Sequence, residues 1–356
     1  MSMSVHLVGS VGLEDVDAVF ETVGRTLGSY LARIPDGEPG GRRLWISWQY
    51  PLLRANPFLK VDAANLQKAS AGLPKLRLAD GVSASMLGFG ELGYAREARA
   101  SYQDFVRARD SGKIASGTRF QVCLPTPLAV IDAFCAKDAV LQIEPAYEAA
   151  MHKEVSKICA EIPHADLSIQ WDLCIEMILW DGRSTFYSQV CDKQGILDRI
   201  NRLCRDIPRD VELGFHLCYG DFEGKHFIEP LDAASMVSLG NELVKRAGRK
   251  LSFVHMPVPI ERNDDAFFAP FKELSLPPDC RLFLGLLHAA DGAQGALSRF
   301  LAAKKVIPHF GIATECGLGR CKTPDDVRSL LNLHADVAKR LSTQGAPSVD
   351  ELADTK

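Results

Sequence analysis

The sequence has no long hydrophobic run, no cluster of basic residues and no dense framework of cysteines. Eighteen consecutive apolar residues occur nowhere, so a membrane-spanning helix is not expected. The formal net charge of -4 comes without a Lys/Arg patch, which argues against nucleic acid as a partner. The ten cysteines are scattered along the chain. That spacing is typical of reduced core residues, a few of which could serve as metal ligands, and not of a small disulfide scaffold.

The composition is that of a globular protein with a large core. Of the 356 residues, 47% are hydrophobic and 24% are charged. The first ten residues contain no basic stretch followed by a long apolar segment, so we expect neither a signal peptide nor a membrane anchor, and a cytoplasmic location. We predict one domain over residues 1–345 and a C-terminal tail over residues 346–356. The oligomeric state is left open, with a homo-oligomer allowed.

Short apolar runs alternate with amphipathic stretches along most of the chain, a pattern that predicts an α/β fold with a parallel sheet. Eight runs are candidate strands: residues 5–10, 30–35, 119–124, 167–172, 211–218, 251–256, 281–287 and 306–314. Because eight is the strand number of the TIM barrel, we predict a single (β/α)8 TIM barrel. Residues 37–117 would then form a long insertion after strand 2. His334 falls on the apolar face of the last predicted helix, so we interpret it as a core residue.

One predicted strand ends in His216 and Cys218, which are two residues apart. Side chains alternate along a strand, so these two point to the same face, about 6.6 Å apart along the strand axis. Two later runs have the same design: one ends at His255 and the other reaches Cys316. In a parallel barrel these ends meet on one face, so the pattern predicts a zinc site built from His216, Cys218, Cys316 and, as a fourth candidate, His255.

Other polar residues also fall at predicted strand ends, where barrel enzymes carry their catalytic groups. Taken singly, each has an alternative interpretation as a turn or a helix cap. The aromatic residues Trp45 and Trp48, which lie in the insertion, could form either a satellite core or the wall of a substrate pocket. The strand-end candidates outside the metal set are Ser10, Asp36, Glu38, Asp172, His288 and Glu315.

A zinc ion held by thiolate and imidazole can lower the pKa of a bound thiol or activate water. Thiolate-rich coordination donates charge to the metal and softens it as a Lewis acid. This favours delivery of a nucleophilic thiolate, and therefore alkyl transfer to sulfur, over electrophilic chemistry.

Two segments resemble the C-terminal barrel of cobalamin-independent methionine synthase and the wider superfamily that it shares with uroporphyrinogen decarboxylase. His216-Leu-Cys218-Tyr219 is similar to the family segment His-Met-Cys-Tyr. Glu315-Cys316-Gly-Leu-Gly-Arg320 is similar to the family segment Asp-Cys-Gly-Leu-Lys-Thr-Arg. Both family segments carry zinc ligands, so the resemblance implies a barrel with Zn2+ as its cofactor.

The resemblance extends to the substrate side of the barrel. Gly9-Ser10 resembles the opening Ile-Gly-Ser-Phe, and Asp36-Gly37-Glu38 resembles His-Gly-Glu. Residues 169–172 resemble Ile-Gln-Ile-Asp. The resemblance implies that Glu38 and Asp172 contact the substrate amine, and His288 falls where the family keeps a histidine acid. The chain departs from the family at His255, where the synthase has a zinc-binding Glu, and at Leu173-Cys174, where it has Glu-Pro.

The first hypothesis is a zinc-dependent alkyl (methyl) transferase, similar to methionine synthase, in which the metal binds a small-molecule thiol as its thiolate. The thiolate attacks an alkyl donor, with His288, Asp172 and Glu38 as catalytic residues and Ser10, Asp36, Trp45 and Trp48 at the substrate. The alternative is a zinc-dependent hydrolase or C–C lyase that uses metal-activated water or a polarised carbonyl. The replacement of Glu by His255 supports this alternative, because it removes an anionic ligand. A metal-free barrel related to the decarboxylase, which binds a small molecule or regulates a partner, is the third possibility.

Overall fold

The computed structural model describes residues 3–63, 72–184, 191–220, 225–319 and 323–343. Its strands are β1 (Arg33–Pro35), β2 (Leu59–Val61), β3 (Leu76–Leu78), β4 (Arg119–Pro125), β5 (Leu167–Leu173), β6 (Glu212–Leu217), β7 (Phe253–Pro257), β8 (Arg281–Leu287) and β9 (Gly311–Thr314). Its α-helices are α1 (Val16–Leu27), α2 (Tyr50–Ala55), α3 (Tyr94–Asp110), α4 (Pro127–Phe134), α5 (Val140–Glu161), α6 (Ile175–Asp181), α7 (Lys193–Arg205), α8 (Ala234–Arg246), α9 (Asp265–Phe268), α10 (Gly292–Lys304) and α11 (Pro324–Thr343). Cys321 and the predicted tail over residues 346–356 lie outside the described ranges.

Seven strands form one parallel sheet in the order β1-β4-β5-β6-β7-β8-β9. Strands β5 and β7 are buried at every position, as expected for a parallel sheet that is covered on both faces. The sheet is curled, because Arg33 of β1 pairs with Glu212 of β6 at 3.1 Å and lies 4.2 Å from the ring centroid of Phe253 on β7. The predicted α/β class with a parallel sheet is therefore confirmed, and the carboxyl ends of the strands lie along one edge.

The first predicted strand, residues 5–10, does not form a regular ladder. Val5 makes isolated parallel bridges with Leu31 on one side and Ile312 on the other. The Val5 N–H donates to the Tyr30 carbonyl and the His6 N–H to the Ile312 carbonyl, each at 3.0 Å. Further along, Ser10 bridges Gly37 and Val11 bridges Leu318. Because these bridges are isolated and a strand needs consecutive paired residues, the segment lies between the two sheet edges without a regular ladder to either. The closed eight-stranded barrel stays a prediction.

Residues between β1 and β4 contain a second, two-stranded antiparallel sheet formed by β2 and β3. Helix α3 follows it and buries one face against the rest of the core. The buried carboxylate of Glu154 on α5 accepts hydrogen bonds from the N–H groups of Leu92 and Ala95 at 2.8 and 2.7 Å. This satisfies two donors at the start of α3, where helical N–H groups lack partners, and it holds the segment against the sheet.

The last helix, α11, begins with an N-cap, since the Thr323 hydroxyl accepts from the Asp326 N–H at 3.2 Å. His334 is fully buried, and its Nδ1 contacts the Leu330 carbonyl at 2.7 Å, as expected of a core histidine. Among the described helices, none is long and apolar enough to cross a membrane.

Candidate metal centre and adjoining pocket

Three of the four predicted metal ligands come together at the carboxyl edge of the sheet. His216 is the penultimate residue of β6, Cys218 comes directly after that strand, and Cys316 lies just after β9. One donor atom from each residue lies within 4.8 Å of the donor atoms of the other two. His216 and Cys218 are buried, whereas Cys316 is half-buried. Strand alternation brings the first two together, and the parallel sheet brings the third.

His255 of β7 is paired directly with His216 in the strand register, but it is not a member of this cluster. Its Nδ1 lies 2.7 Å from His216 Nδ1, and its Nε2 lies 3.0 Å from the Thr314 carbonyl oxygen. Both of its ring nitrogens therefore have a partner within the chain. By contrast, the Nε2 atom of His216 is buried and has no hydrogen-bond partner among the described residues.

A zinc ion fits this set of donors. Two sulfurs and an imidazole nitrogen are ligands that zinc prefers. The buried His216 Nε2 has a hydrogen-bonding capacity that no residue in the described part of the chain uses. Hydrogen bonding to Cys174 raises the pKa of the Cys218 thiol well above its ordinary value. A bound cation would reverse that effect, since a coordinating thiol is deprotonated.

Cys174 is a neighbour of the cluster that we did not predict from the sequence. It follows β5, is buried, and hydrogen-bonds with the Cys218 thiol. The register explains the contact: Leu173 is paired with Leu217, so Cys174 and Cys218 are the next positions on adjacent strands. The two residues could have been associated from the sequence only with a knowledge of which strands pair and in which register.

Asp172 lies on β5 at the position paired with His216. Burial raises the pKa of its carboxyl to about 7, even though Gln170 and Trp45 hydrogen-bond to it and oppose the shift. Gln170 donates to Asp172 Oδ1 at 2.8 Å, and its own amide oxygen contacts His6 Nε2 at 2.9 Å. A polar chain through the interior of the curled sheet therefore holds this carboxyl in place.

Glu38 and Asp36 place two more carboxyls close to Asp172. Burial raises the pKa of Glu38 well above its ordinary value, and the negative charges of Asp172 and Asp36 raise it further. The Asp36 carboxylate forms a salt bridge with Arg42 at 2.8 Å and accepts a hydrogen bond from the Ser101 hydroxyl at 2.7 Å. Three carboxyls in one buried region favour a cationic or proton-donating group on a ligand.

A pocket lies beside these carboxyls, and its volume is about 480 Å3 when the part open to solvent is included. Trp45, Trp48 and Tyr94 are its aromatic wall, and Asp36 and Glu38 line it as well. The pocket interpretation of Trp45 and Trp48 therefore has structural support. Another aromatic of that segment, Tyr50, is buried in the core, where its hydroxyl donates to the Pro74 carbonyl at 2.8 Å.

Two pocket residues have an uncommon backbone conformation. Glu38 has φ of 51° and Trp45 has φ of 54°, and these are the non-glycine residues with positive φ in the described part of the chain. Such angles are disfavoured for residues with a Cβ atom and cluster at functional sites. Composition and spacing give no sign of this strain, which depends on the tertiary environment of the loop.

His288 follows β8 and contacts the loop that carries Cys316. Its Nδ1 lies 3.4 Å from Glu315 Oε2, and its Nε2 lies 2.9 Å from the Val258 carbonyl. Burial lowers the pKa of His288 to about 4, so its imidazole is neutral near pH 7. On the other side of Glu315 lies His226, with 3.5 Å between Nε2 and Oε1. His226 was not predicted from the sequence, because it belongs to a loop and not to a strand end.

Ser10 lies beside the loop that follows Cys316. Its hydroxyl accepts from the Gly319 N–H at 3.1 Å, and its carbonyl accepts from the Leu318 N–H at 2.6 Å. A Cβ atom on Gly317 would lie 2.2 Å from the Ser10 hydroxyl oxygen. Glycine at that position therefore permits the close approach, and Ser10 supports the segment that presents Cys316.

These features define an α/β protein with a curled parallel sheet, a candidate metal centre at the carboxyl edge and an acidic, aromatic pocket beside it. No protein-family model matches the chain. No curated protein matches it either.

Solved structures with the same fold do match. One is assigned as a vitamin-B12-independent methionine synthase from Listeria monocytogenes, with a TM-score of 0.55, 13% identity and coverage of 92% of this chain and 87% of that chain. Another is a B12-independent methionine synthase from Shewanella sp. W3-18-1 in complex with selenomethionine, with a TM-score of 0.58, 12% identity and coverage of 96% and 98%. The resemblance that the sequence indicated is thus confirmed at the level of the fold.

Proposed function

We propose that the chain is a zinc-dependent methyltransferase that alkylates a small thiol, as methionine synthases do. The observation that carries the proposal is the cluster of His216, Cys218 and Cys316, whose donor atoms lie within 4.8 Å of one another. The fold shared with methionine synthase structures supports the same conclusion. A closed eight-stranded barrel, with residues 4–6 between β1 and β9, is part of this proposal.

His216 Nε2 and the sulfurs of Cys218 and Cys316 would hold the metal. When bound there, zinc would lower the pKa of a substrate thiol so that the thiolate is present near neutral pH. Because two of the three protein donors are thiols, the donor set favours this chemistry over strong polarisation of water or a carbonyl.

The adjoining pocket would bind the remainder of the substrates. Glu38 and Asp172 would hold a cationic amino group, and Asp36, fixed by Arg42, would keep the loop that carries Glu38 in place. Trp45 and Trp48 would pack against an apolar or aromatic portion. The Shewanella protein is complexed with selenomethionine, which supports a sulfur-containing amino acid as one ligand of this site.

His288 would transfer a proton to the leaving group. It is neutral near pH 7, and the Val258 carbonyl accepts from its Nε2–H, so Nδ1 faces Glu315. In this state Nδ1 of His288 can accept the proton that the substrate thiol releases on binding and can then give it to the leaving group, so the ring would be charged only between these two steps. Ser10 would support the Cys316 loop from the opposite side.

X-ray absorption at the zinc edge tests the proposal directly. Protein loaded with zinc should show two sulfur neighbours from the chain, and added homocysteine should contribute a third at about 2.3 Å. A matched sample with homoserine, whose hydroxyl replaces the thiol, should show no third sulfur. If homocysteine also leaves the sulfur count at two, thiol activation is wrong. Turnover without a thiol, with solvent oxygen incorporated into the product, would instead favour the hydrolase alternative.

A further inference from the structure

His216 of β6 and His255 of β7 occupy paired positions. Their partners determine which ring nitrogen donates and which accepts each hydrogen bond. The Thr314 carbonyl can only accept, so the His255 Nε2 atom, 3.0 Å away, must carry a proton. His255 is fully buried, and its two ring nitrogens contact an imidazole and a backbone carbonyl and no carboxylate, so a positive charge there would be costly. The ring is therefore neutral, and its Nδ1 has a free lone pair. The contact of 2.7 Å between the two Nδ1 atoms is then a hydrogen bond from His216 to His255.

This order leaves His216 with its lone pair on Nε2, the atom that is buried without a partner. A histidine binds a metal through a deprotonated nitrogen, and the partner of the other nitrogen sets which one that is. The chain from the Thr314 carbonyl through His255 to His216 therefore prepares Nε2 of His216 for a cation.

The distances also argue against His255 as a fourth ligand. Two nitrogens bound to one tetrahedral zinc, each at about 2.0–2.1 Å, lie roughly 3.4 Å apart. The Nδ1 atoms of His216 and His255 are 2.7 Å apart, so they cannot both bind one ion, and the distance suits a hydrogen bond. The other nitrogen of His255, Nε2, is already 3.0 Å from the Thr314 carbonyl oxygen. His255 also stands outside the group of donors that lie within 4.8 Å of one another.

We propose that His255 is a positioning residue for the metal centre and not one of its ligands: it fixes the orientation and tautomer of His216, and the chain supplies three ligands. The fourth coordination position is then left for an incoming thiol, which need not displace a protein side chain. This inference rests on the proposed metal centre, and it extends the proposal by assigning a role to His255 that differs from that of a ligand.

The variants His255→Gln and His255→Ala separate the two roles. A Gln amide can accept from His216 Nδ1–H and donate to the Thr314 carbonyl, whereas Ala can do neither. Loss of such a supporting partner typically costs 10–100-fold in metal affinity. We expect His255→Ala to weaken zinc binding by roughly that factor, and His255→Gln to recover most of it. His334→Gln, at another buried histidine bonded to a carbonyl, is the control for loss of a core imidazole and should leave zinc affinity unchanged.

Spectroscopy of the metal-free and zinc-loaded proteins completes the test. In the metal-free protein, nitrogen-15 NMR should show protonated Nδ1 on His216 and protonated Nε2 on His255. X-ray absorption of the loaded protein should show one imidazole, and the same single imidazole in His255→Gln. Two imidazoles in the native protein, one of them lost in His255→Gln, would overturn the proposal. If the native protein binds no zinc, the proposed function fails, and the tautomers measured without metal still decide the role of His255.

Discussion

Asp172 of β5 and His216 of β6 occupy directly paired positions on neighbouring parallel strands. Paired residues point to the same face of a sheet, and adjacent strands lie about 4.8 Å apart. The pair therefore joins the two halves of the site: His216 belongs to the metal cluster, and Asp172 raises the pKa of Glu38, which lines the pocket. A substrate held by the carboxyls would thus have its reactive end close to the metal.

The first prediction concerns metal content. Purified protein should bind about one zinc per chain, and Cys218→Ser or Cys316→Ser should each lose most of it, because each removes a thiolate. Cys204→Ser is the matched control, since Cys204 is a buried cysteine of α7 outside the cluster. Plasma mass spectrometry of dialysed protein measures the outcome. Full zinc occupancy in both cluster variants would show that the cluster is not the metal site.

The second prediction concerns the pH dependence of ligand binding. The pKa of Asp172 is about 7, so its carboxyl gains negative charge between pH 6 and pH 8. Binding of methionine, whose amino group stays cationic over this range, should strengthen by roughly tenfold as the ionised fraction of Asp172 rises. Asp172→Asn should bind methionine weakly and without this dependence.

Isothermal titration calorimetry at the two pH values measures the effect. Asp62→Asn is the control, since Asp62 is also buried but lies at the end of β2 and contacts Arg77. The assigned role of Asp172 is wrong if Asp172→Asn keeps the pH dependence of the native protein.

The sequence was sufficient to predict that three residues of the candidate metal centre lie together, because strand geometry alone relates them. Two residues that are two apart on a strand share a face, so His216 and Cys218 could be associated directly. Cys316 followed from the parallel arrangement, in which the carboxyl ends of distant strands meet at one edge. The same reasoning placed His255 nearby, but it could not show which atom each ring nitrogen contacts.

Other features depend on the register of the strands and on loop conformation. Cys174 meets Cys218 only because β5 and β6 pair in one particular register. His226 reaches Glu315 from a loop, and the positive φ of Glu38 and Trp45 reflects the packing around them. Local patterns do not contain these relationships. The first predicted strand is not confirmed as a regular strand, because Val5 makes only isolated bridges with its neighbours on either side. That pairing also depends on how distant parts of the chain pack.

The third prediction concerns His288. Replacing it with Ala should lower turnover of a thiol and a methyl donor by about 10²–10⁴-fold, the usual contribution of a positioned proton-transfer group. Zinc content should stay the same, because His288 lies outside the metal cluster. His164→Ala, at a partly exposed histidine paired with Asp210, should change neither quantity. Loss of zinc in His288→Ala would assign His288 to the metal centre instead.

The last prediction concerns stability and uses Glu176, a buried carboxyl at the start of α6. Burial raises its pKa from an ordinary value of 4.5 to about 7, against a smaller opposing effect of the hydrogen bond with Thr126. The folded state therefore holds this proton more tightly than the unfolded state. The stabilisation is fully present below pH 4.5 and is lost as the pH rises through about 7.

From these two pKa values, the ionisation of Glu176 should lower the free energy of unfolding of the native protein by about 2.5 kcal/mol as the pH rises from 5 to 8. Glu176→Gln keeps the size of the side chain but cannot ionise, so its stability should fall by that much less over the same interval. Urea unfolding at both pH values measures the difference. Glu91→Gln, at an exposed position, should follow the native protein. If Glu176→Gln shows the same fall as the native protein, then Glu176 ionises in the folded state as easily as in water, and the raised pKa is wrong.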